Sequence, residues 1–447
     1  MYETKEETSH LDVGFDEPVI TSASRNTITL AATLGYLFDA YAINIYGMTL
    51  ALIAVEYQTS VKIMGLIGSV FIAGYMLGSL IFGMLGDRFG RKTTLGVSIF
   101  CYGTVTALTG FAATPLQFAF GRFCTGLGGG GELTVGVPYV VESWDSKRRG
   151  LGAGFMFAGY ALGVVYATIV SKLILDWLGW RAMYFLAIIP AILILFLRLR
   201  LEESPRYVAT MARLKRTKTT RTSFGKSLKA SPQLRRNLVW GALIYVSLAC
   251  IYYSETVFVV QLMVTQLHLA IGTAITVLGL FNVAMFCFSI ICGWLSDRLG
   301  RRLAGGLTLF MLAVSIWTMF STTSVVLFVV FGCFTFGGIG GSWAIGMVHV
   351  AEMFPTEIRG SGYGWSVALG RIPSIFAPLI IGWLAEVSDG GMADAMKWSS
   401  LVLICAFSAY LFGPETLSRE KGSEIVDLVS DAVGPAVVTH GNVPVES

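Results

Sequence analysis

The stretch Gly83-Met84-Leu85-Gly86-Asp87-Arg88-Phe89-Gly90-Arg91-Lys92 returns 210 residues later as Gly293-Trp294-Leu295-Ser296-Asp297-Arg298-Leu299-Gly300-Arg301-Arg302. Each copy lies between two long apolar runs. A second pair of landmarks keeps the same offset: Glu142 to Arg149-Gly150 against Glu352 to Arg359-Gly360. Gly128, Gly130 and Gly131 likewise fall on Gly338, Gly340 and Gly341. Independent landmarks in one register make the two halves structural repeats. Parallel repeats in an apolar chain imply halves that rock against each other about a central site.

The 447 residues are 54% hydrophobic and 13% charged, where an average soluble domain carries about 25% charged residues. A soluble fold cannot hide that much apolar surface, so the bilayer is the solvent. A crossing needs about 20 mostly apolar residues. Twelve segments qualify, at 28–54, 63–85, 94–112, 117–140, 151–173, 182–199, 238–264, 273–295, 304–321, 324–348, 362–385 and 396–413. The fold class expected is all-α, with twelve transmembrane helices in two pseudo-symmetric six-helix bundles.

Loops after even-numbered spans are basic, and those after odd-numbered spans carry little positive charge. Ten Lys or Arg lie between Arg206 and Arg236 without an acid among them. Between membrane spans such a run is a topology signal rather than a nucleic-acid surface. It places both termini in the cytoplasm and the chain in the inner (plasma) membrane. The expected organisation is an N-terminal tail at 1–25, a bundle at 26–201, a linker at 202–237, a bundle at 238–413 and a C-terminal tail at 414–447. The seven cysteines all sit in apolar runs and read as small hydrophobes. The first 25 residues have no basic region followed by an apolar core, so no cleaved signal peptide is expected.

These motifs resemble the major facilitator superfamily. Gly83-x-x-x-Asp87-Arg88-x-Gly90-Arg91-Lys92 and its 293–302 copy match the signature after spans two and eight. Arg122-x-x-x-Gly126-x-Gly128 matches the span-four pattern, and Glu352-x-x-Pro355-x-x-x-Arg359-Gly360 the motif after span ten. Glu203-Ser204-Pro205-Arg206-Tyr207 and Pro414-Glu415-Thr416 resemble motifs after spans six and twelve. The copy running from Glu142 to Gly150 lacks the family's proline, a departure that bears on loop geometry. Within the superfamily the chain is similar to organic-acid:proton symporters of the aromatic-acid and nicotinate type, through Phe38-Asp39-Ala40-Tyr41, the run from Gly129 to Leu133, and Gly370-Arg371-Ile372-Pro373. Many of those relatives carry a second acid where this chain has Ala42.

A charge at mid-membrane costs about 2.5–3.5 kcal/mol on insertion scales, so Asp39, Arg122, Glu132, Glu255 and Arg371 each need a reason. Burial penalises the charged form of a carboxylate, which suits Asp39, Glu132 and Glu255 to proton coupling; Glu132 also suits a gate. Arg371 falls on Ala161 in the other half, so the repeat does not demand it. Its planar, permanently charged fork suits a substrate carboxylate. Tyr41, Tyr252, Tyr253, Asn282, Trp343 and Trp365 are candidate substrate contacts. Arg122 and Glu132 lie ten residues apart, about 15 Å along a helix, so they do not pair with each other. The resemblance implies gating roles for Asp87, Asp297 and their neighbouring arginines, with Arg122, Glu142, Arg149, Glu352 and Arg359 as structural or gating groups.

The function expected is proton-coupled uptake of a small organic anion by a monomer in the bilayer. A monoanion moving against 100 mV climbs about 2.3 kcal/mol unless a proton accompanies it. The alternatives are a sugar or polyol symporter and a membrane nutrient sensor. No enzyme, metal site or cofactor is expected. The four histidines are scattered. Gly126-x-Gly128-x-x-Gly131 has no preceding strand, as a dinucleotide site would require.

Overall fold

The computed structural model describes residues 21–217 and 222–417. Most of both expected tails, and linker residues 218–221, lie outside the described residues. The described chain is all-helical: α1 Ser22–Glu56, α2 Val61–Phe89, α3 Arg91–Thr109, α4 Pro115–Ser143, α5 Arg149–Phe185, α6 Ile188–Leu199, α7 Pro205–Arg216, α8 Phe224–Ala230, α9 Pro232–Thr265, α10 Ile271–Leu299, α11 Arg301–Ser321, α12 Val325–Glu352, α13 Arg359–Ser374, α14 Ala377–Val387, α15 Gly391–Ser399 and α16 Leu403–Phe412.

Twelve crossings follow. Nine helical stretches among the described residues are long and apolar enough to span a bilayer. One of these, Ser146–Leu199, has 54 residues and holds two crossings. It breaks at Gly179, whose φ of 71° is a left-handed conformation that costs other residues a steric penalty. The end of α5 with α6 is therefore the sixth crossing. Helices α13 and α14 form the eleventh, and α15 and α16 the twelfth. Helices α3 and α4, richer in small and polar residues, complete the set.

Local chemistry sets the helix starts. Thr114, Ser204 and Ser231 each accept a hydrogen bond from a backbone N–H in the first turn, and a proline opens each helix behind them. These are the residues that satisfy orphan amides at a helix N-terminus. Gly90 (φ 96°) and Gly300 (φ 95°) make the same turn in the two halves, joining α2 to α3 and α10 to α11. Glu203 accepts from the Arg91 N–H at 2.8 Å, and Glu415 from the Arg301 N–H at 2.9 Å. The motifs after spans six and twelve are thus caps for α3 and α11.

The halves meet along α2 with α13 and α10 with α5. Glycines face each other there. A Cβ on Gly83 would strike the Gly360 carbonyl, and one on Gly293 the Gly150 carbonyl. Small residues of this kind let helix backbones approach closely.

Candidate functional site

Between the halves lies a small cavity lined from both sides. Helix α1 contributes Tyr36, Asp39 and Ile43; α5 contributes Phe157 and Tyr160; α9 contributes Tyr252 and Tyr253; α12 contributes Trp343; α13 contributes Arg371. Two aromatic contacts tie the halves together. Phe157 stacks on Trp343 with centroids 5.6 Å apart, and the Tyr160 hydroxyl donates to that of Tyr252 at 2.9 Å.

Asp39 is buried, and its Oδ2 accepts from the Tyr75 hydroxyl at 3.2 Å. Arg371 is also buried. Its Nη1 donates to Tyr253 at 3.3 Å, its guanidinium lies 4.1 Å from the Tyr75 ring centroid, and its Nε has no partner. Among the described residues, no ion pair joins Arg371 to a carboxylate of the protein. A buried cation with an unpartnered Nε beside aromatic walls is chemically able to pair with an anion.

The other intramembrane charges are placed differently. Glu132 forms a two-pronged pair with Arg198 of α6, whose Nη1 also donates to the Leu95 carbonyl at 2.9 Å. Arg198 and Glu132 are almost completely buried, and only a glycine at position 35 lets α1 pass beside them. Losing one partner of such a pair costs about 3–5 kcal/mol. Arg198→Ala is therefore expected to lower the apparent melting temperature in detergent by at least about 5 °C. Replacing both partners by Met and Leu is expected to restore most of that loss, and no restoration would mean that the pair does more than hold helices.

Arg122 donates to the Ala42 carbonyl at 2.9 Å and lies over the Tyr46 and Phe71 rings. Glu255 accepts from Ser399 at 3.0 Å, faces α15 and leaves its Oε2 unpartnered. Neither residue lines the cavity.

Three candidate contacts also lie away from the cavity. Tyr41 turns its hydroxyl to the Met183 carbonyl, Asn282 bonds the carbonyl of Leu278 in its own helix, and Trp365 stacks on Phe224 of α8. Tyr41 and Asn282 are thus held by partners inside one half, and Trp365 by the linker helix α8. Tyr36, Tyr75, Phe157, Tyr160 and Arg198 were not singled out in the sequence. For the aromatics, the available signal was the mismatch between halves: Tyr75 falls on Met285 and Phe157 on Val367.

One face of the molecule is latched shut. Asp87 accepts from Gly360 N at 2.9 Å, from Ser361 N at 2.6 Å and from the Ser361 hydroxyl. Asp297 accepts from Gly150 N and Leu151 N, both at 2.8 Å. Each aspartate sits at the N-terminus of a helix of the opposite half, where backbone donors and the helix dipole favour a negative charge. Buried Arg91 joins Asp87 to Glu142, and buried Arg301 joins Asp297 to Glu352. Arg359 reaches Glu142 at 3.1 Å and Arg149 reaches Glu352 at 3.6 Å, both across the seam. Arg88 and Arg298 instead cover the Phe89 and Trp294 rings.

Comparison with known proteins bears on the family and the fold. A sequence model described as Major Facilitator Superfamily matches residues 32–274 and 244–417. A probable 4-methylmuconolactone transporter of Cupriavidus pinatubonensis is 29% identical, covering 90% of this chain and 92% of its own. A putative niacin/nicotinamide transporter of Bacillus subtilis is 28% identical over 91% of this chain and 100% of its own. A benzoate transport protein of Acinetobacter baylyi is 28% identical over 80% and 83%. A solved proton:xylose symporter superposes with a TM-score of 0.75 at 18% identity, covering 88% of this chain and 97% of its own. At that identity it shows the shared fold.

Proposed function

Since the chain belongs to the major facilitator superfamily, we propose that it is a secondary transporter coupling uptake of a small carboxylic acid, aromatic or short-chain, to a proton. The observation that carries this reading is Arg371: a buried guanidinium beside an aromatic cavity, with no protein carboxylate paired to it among the described residues. The substrate carboxylate takes its open donors, and the rings bury the rest of a small organic acid. Asp39, across the cavity, takes the proton. Glu132, tied to Arg198, holds α1, α4 and α6 beside it, and Glu255 is a second buried carboxyl facing α15. The names of the relatives, transporters of a methylmuconolactone, niacin and benzoate, support the substrate class.

The protein is an integral multi-pass membrane protein. We place it in the inner membrane as a monomer, with the basic loops and both termini cytoplasmic. The latched face is then the inner one, and the described state precedes inward opening. Substrate enters from outside, binds Arg371, and the halves rock after Asp39 is protonated.

Competition tests the class. Uptake of a labelled aromatic acid by proteoliposomes should fall with added benzoate or nicotinate and not with xylose or a polyol. The reverse pattern would make the sugar reading correct. Asp39→Asn should still exchange labelled for unlabelled substrate but lose accumulation driven by a pH gradient. One proton per monoanion supports about tenfold accumulation per pH unit, and the variant should reach a ratio of one. Accumulation equal to that of the unaltered protein would move the proton site elsewhere.

A further inference from the structure

Four residues at the centre of the molecule break the repeat together. Asp39 falls on Ala249, Tyr75 on Met285, Gly129 on Ile339 and Arg371 on Ala161. The glycines on either side of position 129 do obey the repeat: Gly128 falls on Gly338 and Gly130 on Gly340. Shared architecture therefore accounts for the neighbours and not for these four.

The structure shows what they have in common. The Tyr75 hydroxyl donates to Asp39 at 3.2 Å, and the Tyr75 ring lies 4.1 Å from the Arg371 guanidinium. One phenol thus touches a carboxylate of the first half through its oxygen and a cation of the second half through its π-face. Gly129 makes the room. A Cβ there would sit 2.8 Å from Asp39 Oδ1 and 3.4 Å from the Tyr75 ring.

We infer that Tyr75 is the positioning residue through which Arg371 senses whether Asp39 carries a proton. While Asp39 is ionised, the phenol donates to the carboxylate. That bond pushes electron density into the ring and strengthens its hold on the guanidinium. The cation is then kept against α2, and the two halves stay joined at the site. When Asp39 takes a proton, the charge that polarises the phenol is gone and the ring's grip weakens. Arg371 is released to close its fork on the substrate carboxylate. The proton itself stays on Asp39, and Tyr75 loses none. The other groups bearing on Asp39 are Glu132, already paired with Arg198, the Arg371 charge, and the phenols of Tyr36 and Tyr102. Tyr75 is in direct contact with both Asp39 and Arg371.

This inference rests on the proposed roles of Asp39 and Arg371. Its test is Tyr75→Phe, which keeps the ring and removes the hydroxyl, measured in proteoliposomes beside Asp39→Asn and Gly129→Ala. In the unaltered protein, KM for the organic acid should change with pH. Tyr75→Phe should flatten that profile and lower the ratio of gradient-driven accumulation to exchange at least tenfold. Gly129→Ala, which forces the carboxylate and phenol apart, should do the same with the hydroxyl still present. Tyr75→Phe and Gly129→Ala variants that keep the pH profile of the unaltered protein, while Asp39→Asn loses it, would overturn the role of Tyr75. If Asp39→Asn also keeps the profile, the proton site itself is wrong and this inference falls with it. Equal loss of exchange and accumulation in Tyr75→Phe would make the hydroxyl a direct substrate contact and would also overturn it.

Discussion

Arg371→Ala is expected to lower kcat/KM for uptake by at least about thirtyfold while leaving the amount of protein in the membrane unchanged. Truncating one partner of a buried, hydrogen-bonded charge pair costs about 2–5 kcal/mol, and each 1.4 kcal/mol is a factor of ten. In the proposed substrate complex the pair joins guanidinium to carboxylate, so its loss would leave an anion buried without compensation. The free protein bears a different burden. There the guanidinium has one hydrogen bond, to Tyr253, and the face of Tyr75. Removing it also removes the cost of burying a charge, so the apparent melting temperature should change little. The rise in melting temperature caused by saturating substrate should disappear. Arg371→Lys should recover part of the affinity but not the two-pronged geometry, since an ammonium is a point charge. Uptake within threefold of the original protein in Arg371→Ala would remove the anion site from this position.

The sequence carried the architecture because membrane folds leave few alternatives. Every backbone polar group must be satisfied within the bilayer, so twelve long apolar runs read as twelve helices. Breaks within crossings were harder to see. The sixth crossing starts at Gly179, and the eleventh divides between Ser374 and Ala377. A glycine or proline in an apolar run is too common to mark such a break alone. Asp39 and Arg371 stood out because charge in hydrocarbon is expensive. Tyr36, Tyr75, Phe157 and Tyr160 did not, since an aromatic in a transmembrane helix reads the same whether it meets lipid, packing or a cavity. Arg198 was hidden by its place in the last turn of α6, where a long basic side chain usually reaches outward to the interface; here it turns inward to Glu132. Tyr41 and Asn282 show the converse, as polar groups satisfied inside one half, and Trp365 is held by the linker helix α8.

Gly360→Val is expected to stop the transport cycle with the latched face held open. In the latched state a Cβ on Gly360 would lie 2.6 Å from the Gly83 carbonyl and 2.9 Å from Asp87 Oδ1. The first is backbone and cannot turn away. Forcing added carbon into a packed seam costs about 1–3 kcal/mol. Parting α2 from α13 also loses Asp87's hydrogen bonds to Gly360 and Ser361, each worth about 1.5–3 kcal/mol because one partner is charged. Together these approach or exceed the roughly 5.5 kcal/mol that turns a 99:1 equilibrium into its inverse, so closure becomes the rare state. Uptake should fall at least about a hundredfold by the same arithmetic. Spin labels at Phe89→Cys and Glu357→Cys, in a background without other cysteines, should show the distance across the seam lengthening. Gly150→Val, at the matching seam of α5 and α10, should act in the same direction and more weakly. Asp297 holds its helix through two backbone donors where Asp87 has a hydroxyl as well, and Arg149 stands 3.6 Å from Glu352 where Arg359 stands 3.1 Å from Glu142. If both valine variants kept the short distance and transported normally, the glycine seams would be packing without a part in the cycle. If Gly150→Val were the stronger, the second latch and not the first would limit opening of the latched face.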